Sequence, residues 1–358
     1  MHEWHKETCI RFKPKANTGS DQLFIRMRSD QDGCWSLLGR QLVKYGVGQD
    51  VSIGKGCATH SVVVHELGHA IGFHHEQSRS DRDSAIHINY QNVEKEMNVQ
   101  FNKENDINFG VPYDITSVMQ YPSWAFSKDV FVKQTIVTKD PKLQRLLNKS
   151  DGLTFRDKKT ANLMYNCNKD CPNKDLRCLN EGYLSPYKND GQKCFCVCPP
   201  TAIGKRCETV INIDYYDAIE RLPCGGNITE EGHIQTPDYP NRIKPFQSCA
   251  WIITAPNGKL IRVTFEGFEF AQRANKPGTR LHGKCYDESV ELRLNDRYNG
   301  QLYCATDIAK GSTFTSRSSI ASIIVIADKS MIGKGLKANI QFVDKRRRIS
   351  PRTNITTN

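Results

Sequence analysis

At 358 residues, the chain is long enough for two or three domains. Its apolar content of 38% and charged content of 25% fit a globular protein, and no apolar run reaches the length of a membrane span. A net charge of +11 allows a nucleic-acid partner, but no nucleic-acid motif appears, so an anionic matrix, a glycan or an acidic substrate is favoured.

The fourteen cysteines are an even and high number, and Cys194, Cys196 and Cys198 lie close together. This pattern predicts disulfides formed in an oxidising compartment, and therefore secretion. Cysteine-ligated zinc is the alternative, and it is disfavoured because no pair of C-x-x-C units appears. Residues 1–6 lack the apolar core of a signal peptide, so we expect a truncated form of a secreted protein.

Residues 1–58 alternate short apolar runs with turns, as in Leu23-Phe24-Ile25, Asp32-Gly33 and Val51-Ser52-Ile53. Such a pattern predicts a small β-sheet. A strand of this sheet can bind an extended substrate by adding it as a further strand.

The run H-E-L-G-H-A-I-G-F-H-H-E begins at His65. On a helix, His65 and His69 lie one turn apart on the same face, and two neutral imidazoles at that spacing bind one zinc ion. Glu66 beside them can hold and deprotonate a zinc-bound water. Gly72 can take a positive φ, which ends the helix and lets His75 return as a third ligand. Three protein ligands leave a position open, as a hydrolytic zinc requires.

A histidine-rich surface helix is the alternative interpretation. It fits poorly, because Val64, Leu67 and Ile71 make this helix largely apolar. Buried histidines without a metal would be costly. His74 is an additional histidine, and we interpret it as a bystander because the spacing favours its neighbour.

The segment Ser117-Val118-Met119-Gln120-Tyr121 follows later in the chain. Metzincin proteases carry a methionine turn below the zinc after such a helix. Met119 would form that floor, although alone it would be interpreted as an ordinary core residue. Tyr121 would offer its phenol as an extra zinc ligand or as a hydrogen-bond donor to an oxyanion.

With the histidine-containing helix and the methionine turn, the chain resembles the astacin family of zinc endopeptidases. Further segments that are similar to this family are Thr8-Cys9-Ile10-Arg11-Phe12, Gly33-Cys34-Trp35-Ser36, Ile88-Asn89-Tyr90 and the stretch from Glu76 to Asp83. The resemblance implies an α+β fold that begins with a two-lobed metzincin catalytic domain, amino-terminally truncated, at residues 1–167. It also implies the disulfides Cys9–Cys167 and Cys34–Cys57.

The resemblance assigns roles to individual residues. One zinc ion (Zn2+) would be bound by His65, His69 and His75. Glu66 would be the general base and acid, and Tyr121 a mobile tyrosine. By the same resemblance Glu76 meets the mature amino terminus after activation, and here it is expected to lack its ion pair. Gln120 stands where the family usually has histidine, which changes contacts around the site but removes no ligand.

Residues 84–167 are predicted to be loop-rich until a helix that follows Ser150-Asp151-Gly152-Leu153-Thr154. Arg145 and Lys149 fall in the region that shapes the pocket after the scissile bond in relatives. An acid-binding role there is possible by resemblance, but solvated surface charge is the favoured interpretation, because lysine and arginine are normally exposed.

Residues 168–208 contain six cysteines with the spacing of an EGF-like module. So short a segment cannot bury an adequate core without cross-links. The resemblance implies the pairs Cys171–Cys194, Cys178–Cys196 and Cys198–Cys207, and we expect a spacer rather than a catalyst. Residues 209–223 are predicted to be a linker.

Residues 224–343 alternate apolar and polar side chains over several runs, which predicts a β-sandwich. Cys224-Gly225-Gly226, Pro237-Asp238-Tyr239-Pro240 and Cys285-Tyr286-Asp287 resemble a CUB domain, which implies the disulfides Cys224–Cys249 and Cys285–Cys304. Many CUB domains bind Ca2+ through a glutamate and two aspartates. Asp287 and Asp328 match, but Ala271 replaces the glutamate, so Ca2+ is doubtful here.

Residues 344–358 form a basic, polar tail that is predicted to be disordered. Asn148, Asn227 and Asn354 stand in N-x-S/T sequons, which are glycosylation sites in a secreted protein.

These patterns predict a secreted zinc endopeptidase that hydrolyses extracellular proteins of matrix, cuticle or eggshell type with a zinc-activated water. The alternative is a truncated, non-catalytic extracellular binding protein that acts through its CUB and EGF-like modules.

Overall fold

The computed structural model describes residues 1–15, 24–41, 48–105, 107–173, 175–186, 194–327 and 333–345. They form two compact units, Met1–Arg221 and Leu222–Asn358. Helices and sheets occur in the first unit and sheets dominate the second, which confirms the α+β class. Among these residues, the structure contains no helix with the length and apolar character needed to cross a membrane.

The first unit opens with helix α1, His2–Glu7, and a three-stranded sheet. The strands are β1 (Ile25–Arg28), β2 (Cys34–Ser36) and β3 (Gln49–Ile53). The central strand β3 runs parallel to β1 and antiparallel to β2. The predicted sheet is therefore present, although Leu23, which was expected in its first run, lies outside the described residues.

Helix α2, His60–Ala70, begins where the Thr59 side chain accepts a hydrogen bond from the Val62 N–H at 3.4 Å. Its apolar face buries Val64 and Leu67 against the fully buried ring of Trp4. The Trp4 indole N–H donates to the carbonyl of Val64 at 3.3 Å. This packing fixes α2 within the unit, as its apolar sequence predicts.

Residues 84–167 are largely loop, as expected. Strands β4 (Ile86–Ile88) and β5 (Ile136–Thr138) pair antiparallel. Helix α3, Phe155–Met164, starts with a capping box in which Thr154 and Asp157 bond each other's backbone. The short 3-10 helices are Glu76–Ser78, Arg82–Ser84, Tyr90–Asn92, Lys95–Phe101 and Pro141–Leu146.

The cysteine-rich segment packs against α3 instead of standing apart. It contains the pairs β6 (Tyr183–Ser185) with β7 (Phe195–Val197) and β8 (Ala202–Ile203) with β9 (Thr209–Val210). The Tyr183 ring lies 5.6 Å from the Phe155 ring, and Arg156 pairs with Glu181 at 3.2 Å. The predicted linker contains a short helix, α4 (Tyr215–Ile219), within the first unit.

The second unit is a sandwich of two sheets, as the alternating sequence predicts. Its strands are β10 (Cys224–Ile228), β11 (Gly232–Gln235), β12 (Cys249–Thr254), β13 (Lys259–Glu269), β14 (Glu288–Arg293), β15 (Gln301–Tyr303), β16 (Thr313–Thr315), β17 (Ile320–Ala327) and β18 (Gly335–Asp344). One sheet has the order β10-β12-β17-β14-β15 and the other β11-β18-β13-β16, and apolar side chains from both fill the core.

All fourteen cysteines are in disulfides. The bonded pairs are Cys9–Cys167, Cys34–Cys57, Cys171–Cys194, Cys178–Cys196, Cys198–Cys207, Cys224–Cys249 and Cys285–Cys304. The first of these joins two cysteines that are 158 residues apart, one just after α1 and one just after α3.

Replacing Trp4 tests the packing of α2. Trp4→Ala removes a fully buried indole and leaves a cavity, so we expect the first unit to lose about 3–5 kcal/mol of unfolding free energy. Urea unfolding of the oxidised chain measures this loss. Trp35→Ala is the matched control, because Trp35 is 38% exposed and its removal should cost much less. Equal losses in the two variants would contradict the assigned packing.

Candidate active site

Three imidazoles converge at the carboxyl end of α2. The helix carries His65 and His69 on one face, and it stops before Gly72, whose φ is +103°. The chain then turns back and brings His75 to the same place. The ligating atoms of the three histidines all lie within 4.8 Å of one another, and the Nε2 atoms of His69 and His75 are 3.0 Å apart. His74 does not join this cluster, in agreement with its interpretation as a bystander.

Backbone carbonyls orient two of the rings. The His65 Nδ1 lies 2.7 Å from the carbonyl of Val118, and the His69 Nδ1 lies 2.7 Å from that of Phe73. A carbonyl only accepts, so each Nδ1 carries the proton and each Nε2 keeps its lone pair for a metal. Burial, opposed by the Val118 bond, lowers the pKa of His65.

The same burial keeps the other imidazoles neutral. It lowers the pKa of His69 to about 4 and that of His75 to about 2, with the neighbouring imidazoles adding to the effect. Three neutral nitrogen donors with free lone pairs at one point fit zinc, which takes three such ligands in hydrolytic sites and leaves a position open. The residues present therefore fit the metal that the sequence predicts.

Glu66 lies beside this cluster, with only 4% of its surface exposed. Its Oε2 is buried and has no hydrogen-bond partner among the described residues. Burial raises its pKa to about 7. A carboxylate that binds its proton near neutral pH, with an oxygen left open, is suited to exchange a proton with a water at the metal.

The methionine turn packs directly below α2. Met119 is 1% exposed, and its Sδ lies 2.7 Å from the place where a Cβ on Gly68 would stand. Only a glycine in the helix allows this approach. Met119 thus packs against the helix that carries His65 and His69, and its role as the floor of a zinc site stays a prediction.

Four hydrogen bonds hold the turn in place. The Glu76 N–H donates to the carbonyl of Met119 at 3.0 Å, and the Tyr121 N–H donates to Gln77 Oε1 at 3.1 Å. From the other side, Asp157 on α3 accepts from the Ser117 hydroxyl at 2.6 Å and from the Val118 N–H at 3.0 Å.

The sequence did not identify Gln77 or Asp157. The spacing of Thr154 and Asp157 is a visible capping signal. It gives no hint, however, that the same carboxylate reaches the methionine turn.

Tyr121 lies next to the third histidine. Its ring centroid is 4.2 Å from that of His75, and it packs edge-on against Phe101 and Phe126. Burial raises its pKa to about 12, so the phenol stays protonated at neutral pH and remains a donor. Gln120 donates to the Tyr121 carbonyl at 3.0 Å, so the residue that replaces the family's histidine supports this tyrosine without entering the metal cluster.

Glu76 contacts Arg79 and Asp114, two neighbours that the sequence did not suggest. Its carboxylate lies 3.3 Å from the Arg79 guanidinium and accepts from the Asp114 N–H at 2.7 Å. A cavity of about 320 Å³ borders these three residues and Asp157. Burial outweighs the neighbouring guanidinium and raises the pKa of Glu76 to about 8. Contact with a mature amino terminus at this cavity stays a prediction.

Arg145 is not a solvated surface charge, which corrects the favoured interpretation. Its side chain is only 5% exposed and lies 2.5 Å from Glu220, which also pairs with Lys149 at 3.2 Å. The sequence could not reveal this pairing, because Glu220 lies in the segment predicted to be a linker. One carboxylate that is distant in the sequence therefore pairs with both bases.

The CUB region shows a different carboxylate from the one expected. The buried Glu288 accepts from the Ala271 N–H at 2.7 Å, whereas Asp287 is half-buried and Asp328 lies outside the described residues. A second potential metal cluster contains Cys285 and Cys304, but these form a disulfide and bind no metal.

Asp157 provides a test of how the site is held. In Asp157→Asn, one of the two acceptor oxygens becomes an NH2 group, so the side chain can no longer accept from the Ser117 hydroxyl and from the Val118 and Thr154 N–H groups at the same time. Since Val118 also orients His65, we expect zinc affinity to fall about 10–100-fold. Competition with a chromogenic chelator measures this. Asp140→Asn is the control, because an asparagine can still cap the Lys142 N–H. Unchanged affinity in Asp157→Asn would show that the turn does not depend on α3.

Comparison with known proteins agrees with this geometry. Residues 1–166 match the peptidase family described as Astacin, and residues 224–340 match the CUB domain. Blastula protease 10 of Paracentrotus lividus is 33% identical, covering 96% of this chain and 54% of the relative. Zinc metalloproteinase dpy-31 of Caenorhabditis elegans is 35% identical, covering 96% of this chain and 55% of the relative.

A solved structure is also similar. High choriolytic enzyme 1, a hatching enzyme zinc-protease from Oryzias latipes, is 37% identical, covering 47% of this chain and 79% of that chain, with a TM-score of 0.41. The chain spans about half the length of the curated relatives it matches. The three histidines, Glu66 and Met119 all fall inside the astacin match. We conclude that the chain belongs to the astacin family of peptidases and that it carries a CUB domain.

Proposed function

We propose that the chain is a secreted zinc endopeptidase that hydrolyses peptide bonds of extracellular proteins of matrix, cuticle or eggshell type. The observation that carries the proposal is the convergence of three neutral imidazoles beside the unpartnered, buried oxygen of Glu66. The names of the relatives, a blastula protease and zinc metalloproteinases, support the reaction class.

His65, His69 and His75 would hold the zinc, which when bound acts as a Lewis acid on the scissile carbonyl and acidifies the attacking water. Glu66 takes the proton from this water and passes it to the leaving amine. The Tyr121 hydroxyl donates a hydrogen bond to the oxygen that becomes negative in the tetrahedral transition state. Met119 and the bonds around it keep these side chains in place.

Secretion is supported by the seven disulfides, since such cross-links persist in oxidising compartments. Asn148 and Asn227 are both exposed, so these sequons are accessible to glycan attachment. Asn354 and most of the basic tail lie outside the described residues. Binding of the tail to an anionic matrix or glycan remains a proposal from its sequence.

The second candidate is an extracellular binding protein without catalysis. The CUB match favours binding, because this domain carries none of the proposed catalytic residues. The complete histidine cluster argues against it, since buried neutral imidazoles and an unpartnered carboxylate are costly unless they serve a metal. Cleavage of a denatured protein substrate, stopped by a zinc chelator and restored by added zinc, separates the two candidates.

Glu66→Gln tests the general base. The amide keeps the size of the side chain but cannot accept the proton, so we expect kcat to fall at least about a hundredfold. Zinc content, measured by atomic absorption, should not change. Cleavage at the original rate with zinc bound would exclude Glu66 as the base.

Tyr121→Phe tests the oxyanion donor. The ring stays packed against Phe101 and Phe126, and only the hydroxyl is lost. We expect kcat to fall about 100-fold with little change in KM, because the lost hydrogen bond forms in the transition state. Steady-state kinetics on a fluorogenic peptide measure the two constants. A rise in KM at constant kcat would instead place Tyr121 in substrate binding.

A further inference from the structure

The short helix α4 contacts the backbone that leads into the methionine turn. The Tyr216 hydroxyl donates to the carbonyl of Tyr113 at 3.1 Å and accepts from the N–H of Ile115 at 3.2 Å. Both partners lie in the segment just before Ser117. A residue beyond the astacin match thus completes hydrogen bonds inside the catalytic domain.

Two further bonds connect this segment to Tyr121. The buried hydroxyl of Tyr113 donates to Gln120 Oε1, and Gln120 Nε2 donates to the carbonyl of Tyr121 at 3.0 Å. Tyr113 is 6% exposed and Gln120 is 1% exposed, so water cannot readily replace these bonds. A displacement of the Tyr113 backbone would therefore change the position of Tyr121.

Charged contacts fix α4 on the domain. Glu220, just after the helix, pairs with Arg145 at 2.5 Å and with Lys149 at 3.2 Å. The Arg156 guanidinium lies over the Tyr215 ring, 3.8 Å from its centroid. Three cations of the catalytic domain thus face this segment, which explains why a sequence predicted to be a linker is ordered against the domain.

We propose that Tyr216 is a positioning residue for Tyr121, acting through Tyr113 and Gln120. The catalytic unit of this chain then extends past the EGF-like segment to α4. The inference rests on the proposed function, because the role of Tyr121 comes from it. It adds that a residue outside the peptidase match sets the efficiency of the reaction.

Tyr216→Phe tests the inference without removing the ring. Loss of the hydroxyl removes these two hydrogen bonds and a longer one from Arg156 at 3.5 Å, which should lower kcat about three- to tenfold, with KM unchanged within about twofold. Zinc content and melting temperature are measured alongside. Tyr215→Phe is the matched control, since the structure shows no hydrogen bond for this hydroxyl among the described residues, and it should cleave at the original rate. A kcat equal to that of the unaltered chain would overturn the inference.

A double-mutant cycle tests the route of the effect. If Tyr216 acts through Tyr121, Tyr216→Phe should change kcat little in a Tyr121→Phe background. Independent, multiplicative losses would show a merely structural role and contradict the proposal.

Hydrogen exchange gives a readout that does not depend on activity. Tyr216→Phe should speed exchange of the amides of residues 115–121 relative to Tyr215→Phe, whether or not the chain cleaves. Absence of cleavage by the unaltered chain would refute the proposed function alone, whereas unchanged exchange in Tyr216→Phe would refute this inference alone.

Discussion

The geometry of the histidine cluster depends on hydrogen bonds from imidazole Nδ1 atoms to backbone carbonyls. A histidine can present its Nε2 to a metal only if its other nitrogen holds the proton and the ring cannot rotate. The Val118 carbonyl accepts the hydrogen bond from the His65 Nδ1, so the orientation of this ring depends on the position of Val118. Asp157 holds it, by accepting from the Val118 N–H while it also caps α3. One carboxylate therefore serves helix initiation and metal geometry together.

The arginine-containing run after the third histidine has a structural explanation. Arg82 is 5% exposed and donates to the carbonyls of Gln77 at 2.7 Å and Phe101 at 2.8 Å. Arg79 donates to the Val111 carbonyl at 2.8 Å. Loops without regular secondary structure leave carbonyls unpaired, and buried guanidinium groups satisfy several at once. These arginines thus keep the loops around the site compact.

The sequence predicted those parts of the molecule that follow from local periodicity. Two examples are the placement of His65 and His69 on one helix face and the alternation of apolar and polar side chains in the strands of the sandwich. Both follow from the order of residues that are close in the sequence. Pairings between distant residues were not predictable in this way. Arg145 was interpreted as solvated because lysine and arginine are normally exposed, and its partner Glu220 lies 75 residues further along the chain. The contact of Glu76 with Arg79 was not foreseen either, since the only partner considered for this carboxylate was an amino terminus. Side-chain partners of this kind depend on tertiary packing, which a single sequence does not display.

The cysteine-rich segment belongs to the first compact unit, whereas the sequence predicted a separate unit. A module of this size has little core of its own, and its disulfides supply most of its internal constraint. Docking on α3 gives it further contacts, because Glu181 pairs with Arg156 and Tyr183 lies against Phe155. A freely moving spacer would expose these rings and leave Arg156 with less compensation for its burial. The same contacts place the chain so that α4 reaches the segment before the methionine turn, so the module orders the part of the catalytic unit that follows it.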